Sequence, residues 1–112
     1  THAPCLAVRL DAGGRSVFYS GDGRPTPATA ALARGADLLV HEAYGLDADT
    51  PGHGGVASCL ELAREARAGR LALVHLSRPV RRAHAGEIRA LLARALGERG
   101  LLPEPGDLVV LA

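Results

Sequence analysis

Two short, continuous apolar runs constrain the fold of this chain more than any other feature. Residues 37–41 and 71–75 are apolar through their centres, and they end in His41 and His75. Strands that are buried on both faces of a parallel sheet have this pattern, whereas half-exposed strands alternate apolar and polar residues. Each run follows a stretch of helical periodicity that stops near a glycine, Gly35 or Gly69. Because parallel strands need crossover connections, the runs predict an α/β fold.

The remaining segments complete a predicted order of β-β-α-β-α-β-α-β. Gly13-Gly14 is typical of a hairpin turn, and Thr26-Pro27 is typical of a helix start. With 112 residues and no linker or repeat, we expect residues 1–112 to form one small domain. In chain order, the predicted elements are strands at 4–11 and 16–20, a helix at 28–34, a strand at 37–41, a helix at 56–68, a strand at 71–75, a helix from 79 to 96, a turn at 101–106 and a strand at 108–111.

Composition excludes several classes of protein. The formal charge of +1 excludes a strongly basic module that holds nucleic acid by charge alone. No apolar run approaches the roughly 20 residues that span a bilayer, and residues 1–4 show no feature of a signal peptide. Cys5 and Cys59 have neither metal nor redox spacing, and Cys59 lies on the apolar face of a predicted helix as a small hydrophobe. We therefore expect a cytoplasmic protein with reduced thiols and no membrane contact, with a disulfide as the alternative.

Titratable side chains collect where the predicted strands end. Asp22 follows the second strand, His41 and Glu42 end the third, and His75 ends the fourth. Ligand sites in parallel sheets form beyond the carboxyl ends of the strands. Each residue alone has an ordinary explanation, since Gly-Asp-Gly is a common turn and a histidine at a strand end, or His53 in a loop, needs no ligand. The set and its order, rather than any single member, indicate a site.

Four motifs follow one another at these strand and helix ends. They are YSGD at residues 19–22, LLVHEA at 38–43, HGG at 53–55 and LVHLS at 73–77. This order resembles the C-terminal half of the metallo-β-lactamase superfamily, and within it the ribonuclease Z-type phosphodiesterases. The resemblance extends from about residue 4 to the end. It implies an α/β fold that is half of an αββα sandwich, in which two sheets pack face to face with helices outside.

The resemblance also implies a role for each matching residue. Asp22 corresponds to a carboxylate that bridges two metal ions, and His75 corresponds to a ligand of the second ion. His53 corresponds to a catalytic histidine near the scissile phosphate, and Glu42 to the carboxylate that supports it, whereas His41 matches no ligand. The implied cofactor is Zn²⁺, two ions in the complete site, with Mn²⁺ or Fe as alternatives. Carboxylate oxygen and imidazole nitrogen are donors that suit zinc.

Ser77 and Arg78 directly follow His75 and are predicted to contact the substrate. Arginines crowd the start of the last predicted helix, where cations are disfavoured by the helix dipole. A substrate phosphate would offset that cost. The alternative is a solvated turn with its arginines directed outward. Two departures from the family pattern lie nearby: Gly23 stands in place of Thr or Ser, and Ser-Arg-Pro replaces Ser-Pro-Arg at residues 77–79.

The first metal motif of the family, His-x-His-x-Asp-His, is absent from these 112 residues. Catalytic zinc takes three protein ligands and a water, so Asp22 and His75 cannot hold two ions alone. We therefore expect an N-terminal half of the same fold, from the same polypeptide or a companion chain, to supply the missing ligands. A lone half would be inactive and would leave an apolar sheet face uncovered, which a homodimer could also bury. The candidates for that face are Leu6, Val8, Leu10, Val17 and Tyr19.

The sequence thus predicts a metal-dependent hydrolase that acts on a phosphate ester, with RNA or a nucleotide as the phosphodiester substrate. The same superfamily fold also serves thioesters, lactams, lactones and sulfate esters, so the fold does not fix the substrate. Two alternatives stay open. One is a degenerate, non-catalytic α/β scaffold or assembly module. The other is an unrelated open sheet that has helices on both faces and binds an anion at its strand ends.

Overall fold

The computed structural model describes residues 7–20, 26–43, 55–74, 78–104 and 106–107. Its elements follow the predicted order through the third helix, whereas the last strand of the described residues is not the one predicted at 108–111. No helix in these ranges combines the length and apolarity that crossing a bilayer requires. The strands are β1 (Val8–Ala12), β2 (Arg15–Tyr19), β3 (Leu38–Glu42), β4 (Arg70–Val74) and β5 (Gly100–Leu101), and the helices are α1 (Pro27–Ala33), α2 (Val56–Ala66) and α3 (Arg78–Leu96).

The five strands form one sheet in the order β1-β2-β3-β4-β5. β1 and β2 are an antiparallel hairpin, whereas β2 to β5 are parallel neighbours. The hairpin turns at Gly13 and Gly14, whose φ angles of +58° and +77° are the conformation that a two-residue type I′ turn requires and that glycine adopts without a steric penalty. The predicted hairpin is therefore confirmed.

A single apolar core lies between one face of the sheet and the three helices. Phe18, Leu39 and Leu71 are register neighbours on β2, β3 and β4, and none of them is exposed. They pack against side chains from every described helix, so the helices cover the same face. The helix residues in this core are Ala30, Ala33, Val56, Cys59, Leu62, Ala63, Ala66, Ile88 and Leu92.

The opposite face of the sheet carries apolar side chains that the described helices do not cover. Val8 and Tyr19 are register partners that are 44% and 45% exposed, and Leu10, beside Val17, is 66% exposed. This confirms the predicted exposed face at Val8, Leu10 and Tyr19, while Val17 is half-buried and Leu6 lies outside the described residues. The described helices lie on one face of the sheet, as half of a sandwich requires, and not on both faces as in the alternative of an open sheet.

Two predicted boundaries are wrong. The second helix does not extend to Ala68 but ends at Ala66, because Arg67 adopts the left-handed conformation and caps it. Gly69 is needed for a different reason: a Cβ there would lie 2.8 Å from the carbonyl oxygen of Asp37. The predicted turn at 101–106 begins too early, since Gly100 and Leu101 pair with β4 as β5. The strand predicted at 108–111 lies outside the described residues.

Candidate active site

The carboxyl ends of β2, β3 and β4 are aligned at one edge of the sheet. The Ser20 amide donates to the Val40 carbonyl at 3.0 Å, and the Ala43 amide donates to the Val74 carbonyl at 3.0 Å. Ser20 and Val74 directly precede the Gly-Asp and His motifs, and their strands are separated only by β3. Strands two positions apart in a sheet are about 10 Å apart. The fold therefore brings the chain segments that lead into Asp22 and His75 to a common edge, which we call the carboxyl edge.

Glu42 is the predicted site residue whose side chain the structure describes. It is the last residue of β3 and is only 1% exposed. By strand alternation it shares its face with Leu38 and Val40, away from the helices. Its backbone amide donates to the Ser20 hydroxyl at 3.1 Å, and Ser20 is itself buried. This contact ties the end of β2 to the end of β3.

The carbonyl oxygen of Glu42 accepts hydrogen bonds on the face of the sheet that the helices cover. His41 Nδ1 lies 2.8 Å from the Glu42 carbonyl oxygen, and Cys59 Sγ on α2 lies 3.4 Å from the same oxygen. Since a carbonyl only accepts hydrogen bonds, Nδ1 carries the ring proton, and both the imidazole and the thiol donate to it. Cys59 Sγ and His41 Nδ1 are also 3.4 Å apart. The backbone of Glu42 is therefore fixed at both its N–H and its C=O.

Burial keeps His41 neutral. The side chain has no solvent exposure, and its Nε2 atom has no hydrogen-bond partner among the residues that the structure describes. Burial lowers the pKa of His41 from its ordinary value of 6.5 by penalising the charged ring, while the Glu42 carbonyl and the Glu42 carboxylate oppose that shift. A neutral ring with its proton on Nδ1 is the form that the contact with the carbonyl requires. His41 therefore holds the strand end in place, consistent with its matching no metal ligand.

Cys59 is buried, and Cys5, its partner in the alternative of a disulfide, lies outside the described residues. This confirms its prediction as a small buried side chain, but the structure adds the hydrogen bond to Glu42 that sequence reasoning missed. Ser20 was likewise recognised only as part of a motif and given no role. A hydroxyl directly before Gly-Asp at a strand end was the available signal for Ser20. No local signal pairs Cys59 with His41, since they are far apart in sequence.

The other predicted site residues have no described side-chain geometry. Asp22, His53, His75 and Ser77 lie outside the described residues, and their roles stay predictions. Arg78 is the first residue of α3, as expected for a cation crowding that helix start, and its side chain is not among those described. Within the described ranges, no three His, Cys, Asp or Glu side chains form a cluster able to hold a metal ion.

The chain is similar in sequence to a known family and to ribonucleases. A family model described as "Beta-lactamase superfamily domain" matches residues 1–76. A ribonuclease Z from Natronomonas pharaonis is 39% identical over 104 residues, which are 86% of this chain and 32% of that protein. A ribonuclease Z from Archaeoglobus fulgidus is 42% identical over 82 residues, 69% of this chain and 27% of that protein. The chain thus spans about a third of the length of these relatives.

Solved structures share the fold. The metallo-β-lactamase fold protein YhfI from Bacillus subtilis superposes with a TM-score of 0.74 at 24% identity, covering 90% of this chain and 42% of that one. The short form of human tRNase Z superposes with a TM-score of 0.64 at 24% identity, covering 88% of this chain and 34% of that one. At these identities the superpositions show the fold alone, and they agree with the half-sandwich that the position of the described helices indicates.

Proposed function

Because the chain belongs to the metallo-β-lactamase superfamily and is ribonuclease Z-like, we propose that it is the C-terminal half of a metal-dependent phosphodiesterase that acts on RNA or a nucleotide. One observation carries this: the ends of β2, β3 and β4 share an edge, with Glu42 fixed there on both sides of its backbone. That edge is where parallel sheets bind ligands.

The donor chemistry of the predicted metal residues fits zinc, although two donors do not complete a site. Asp22 would bridge two ions and His75 would bind one of them, with the remaining ligands supplied by the N-terminal half. The segments that lead into Asp22 and His75 start about 10 Å apart on alternate strands, a separation that side chains of this length can close. When bound, zinc would supply a hydroxide near neutral pH and stabilise charge on the phosphate.

The chain's own residues would position and protonate the substrate. We assign His53 as the group that donates a proton to the leaving oxygen, and Glu42 as the carboxylate that orients it. The rigid backbone of Glu42 supports that assignment, because a carboxylate can orient an imidazole only if it is itself held in place. Arg78 and Ser77, at the start of α3, would contact the phosphate.

The exposed apolar surface of the β1–β2 hairpin supports the proposal of an N-terminal partner. Val8, Leu10 and Tyr19 are exposed on that surface, and the chain covers only about a third of its ribonuclease Z relatives. An apolar face of this kind is typical of an interface. The second sheet of the sandwich is the occupant we propose, on the same polypeptide or a companion chain. Without it, the chain should bind no stable metal pair and hydrolyse nothing. We also place the complete protein in the cytoplasm.

The test is metal content and hydrolysis of a small phosphodiester, bis(4-nitrophenyl) phosphate, by the chain joined to its N-terminal half. We expect bound zinc and hydrolysis, with both lost in Asp22→Ala. Glu42→Gln should keep the metal and lower kcat by about 10²–10⁴, the usual contribution of acid–base catalysis. His84→Gln is the matched control, because His84 is 43% exposed on α3 and pairs only with Glu87 among described residues.

A non-catalytic scaffold is the second candidate, and the same measurements separate it from the first. The scaffold predicts that the assembled protein folds but holds no zinc, manganese or iron and cleaves no phosphodiester. Metal binding without any hydrolysis would also contradict the phosphodiesterase proposal. Either result would leave the fold intact and remove the catalytic roles of His53 and Glu42.

A further inference from the structure

The arginines of this chain are unevenly distributed over the sheet. The edge opposite the carboxyl edge, which we call the amino edge, contains the starts of β2 to β5, the end of β1 and the ends of α1, α2 and α3. Seven of the 13 basic residues of the chain lie there, and the guanidinium of an eighth, Arg9, reaches the end of α1 from within β1. The seven are Arg15, Arg34, Arg64, Arg67, Arg70, Arg94 and Arg99.

The positive charge at the amino edge exceeds what its surroundings neutralise. The acidic residues at this edge are four: Asp11, Asp37, Glu65 and Glu98. Each helix carboxyl end adds roughly half a negative charge, so three helices leave a surplus of about two to three positive charges. The whole chain carries only +1, so the remainder of the chain is net negative. The positive surplus at the amino edge is therefore larger than the net charge of the whole chain.

Part of this set is already engaged within the fold. Arg9 donates to the carbonyls of Leu32 and Arg34 at 2.8 and 2.7 Å and so caps the end of α1. Arg99 donates to the Ala68 carbonyl at 3.5 Å. These two arginines stabilise the loops that enter the sheet, and they are not available to a partner.

Four other arginines are available. Arg34 and Arg67 follow the ends of α1 and α2, and Arg64 and Arg94 lie in the last turns of α2 and α3. All four are exposed, and no hydrogen bond or ion pair joins their guanidinium groups to another described residue. Exposed guanidinium groups that are not held within the fold are suited to bidentate contacts with phosphate.

We propose that the amino edge binds the backbone of an RNA duplex, away from the cleavage site. This rests on the proposed function, in which RNA is the polyanionic substrate. Five-residue strands separate the two edges by about 17 Å, so one folded RNA can contact both. Single-stranded RNA is held by stacking on aromatic side chains, and the described aromatic residues are the buried Phe18 and Tyr19 at the far end of β2. Contacts to phosphates alone fit a duplex and carry no base specificity.

The test is fluorescence anisotropy with a labelled RNA duplex of about 16 base pairs, titrated with the assembled protein over a range of salt. The quadruple variant R34Q/R64Q/R67Q/R94Q should bind about tenfold more weakly or worse at low salt. The slope of log K against log salt should fall by about 3 to 4, close to one per lost phosphate contact. R67Q alone should lower this slope by about 1. R89Q removes the same charge from the middle of α3 and should leave the slope unchanged.

Three results would overturn the proposal. One is an unchanged slope in the quadruple variant when circular dichroism shows that it is folded, and another is equal loss in R67Q and R89Q. The third is binding of polyglutamate but not of the duplex, which would assign the edge to an acidic protein. Hydrolysis of bis(4-nitrophenyl) phosphate separates this from the proposed function. If only the proposed RNA binding at the amino edge is wrong, every arginine variant still hydrolyses the phosphodiester at the wild-type rate. If the proposed function is wrong, no variant hydrolyses it, even if the arginine substitutions weaken binding of the duplex.

Discussion

Replacing His41 by asparagine should remove a pH dependence of stability that the buried ring creates. Burial lowers the pKa of folded His41 below its ordinary value of 6.5, which the unfolded chain retains. Between these two pKa values the unfolded state binds more protons than the folded state, so the free energy of unfolding falls as the pH falls. Above pH 6.5 the ring is neutral in both states, and His41 contributes no pH dependence.

The slope of this dependence is bounded by the single proton involved. One proton gives at most about 1.4 kcal/mol per pH unit, reached between the two pKa values. Asparagine places an amide donor near the position of Nδ1, so H41N should keep a contact to the Glu42 carbonyl while abolishing the titration. The smaller side chain should itself cost about 1–3 kcal/mol at neutral pH, as a partly filled core site does.

Urea unfolding followed by circular dichroism between about pH 5 and pH 7.5 measures both quantities. H41N should be less stable than the wild type at pH 7.5, but its free energy of unfolding should fall less steeply as the pH is lowered. H84Q, which removes the imidazole of a histidine whose side chain is 43% exposed on α3, is the control. Equal slopes in H41N and the wild type would show that His41 does not titrate against folding, and the lowered pKa would be refuted.

Three further substitutions test the local structure by thermal unfolding. R67G should stabilise the protein by about 1 kcal/mol, because Arg67 caps α2 at φ +54° and glycine adopts that conformation without strain; an unchanged or lower Tm would contradict the cap. G69A should destabilise it by about 1–3 kcal/mol, because its Cβ would lie 2.8 Å from the Asp37 carbonyl oxygen; a neutral effect would show that the backbone there yields. T26A should cost about 1 kcal/mol, because the Thr26 side chain accepts from the third helical amide of α1 in a capping box, and T26S, which keeps the hydroxyl, should recover most of that loss.

The local elements of the fold could be predicted because their signals are local. The two apolar runs, the Gly13-Gly14 turn and the Thr26-Pro27 helix start each depend on a few neighbouring residues, and the structure confirms them in β3, β4, the hairpin and α1. The wrong helix boundary arose where two possible helix-ending residues lie close together in the sequence. Gly69 looked like a helix stop but serves a close backbone approach, while Arg67 took the left-handed position that glycine usually fills.

The candidate site could be predicted only in part from the sequence. The order of motifs was enough to place Glu42 at a strand end and to identify the superfamily, which the comparisons confirm. Asp22, His53 and His75 stay predictions. The contacts that fix Glu42 were not predictable, because Ser20 and Cys59 are 22 and 17 residues away from it in the sequence.

From its sequence alone, this protein is an α/β half-sandwich with a set of acidic and imidazole groups at its strand ends, because hydrophobic periodicity and turn residues act over a few positions. Tertiary structure alone decided which groups touch. It set His41 and Cys59 against one carbonyl, exposed Leu10 on a face that no described helix covers, and brought exposed arginines from the ends of three helices to the amino edge. Strand register and helix direction fix those distances, and both depend on packing across the whole sheet rather than on any local segment.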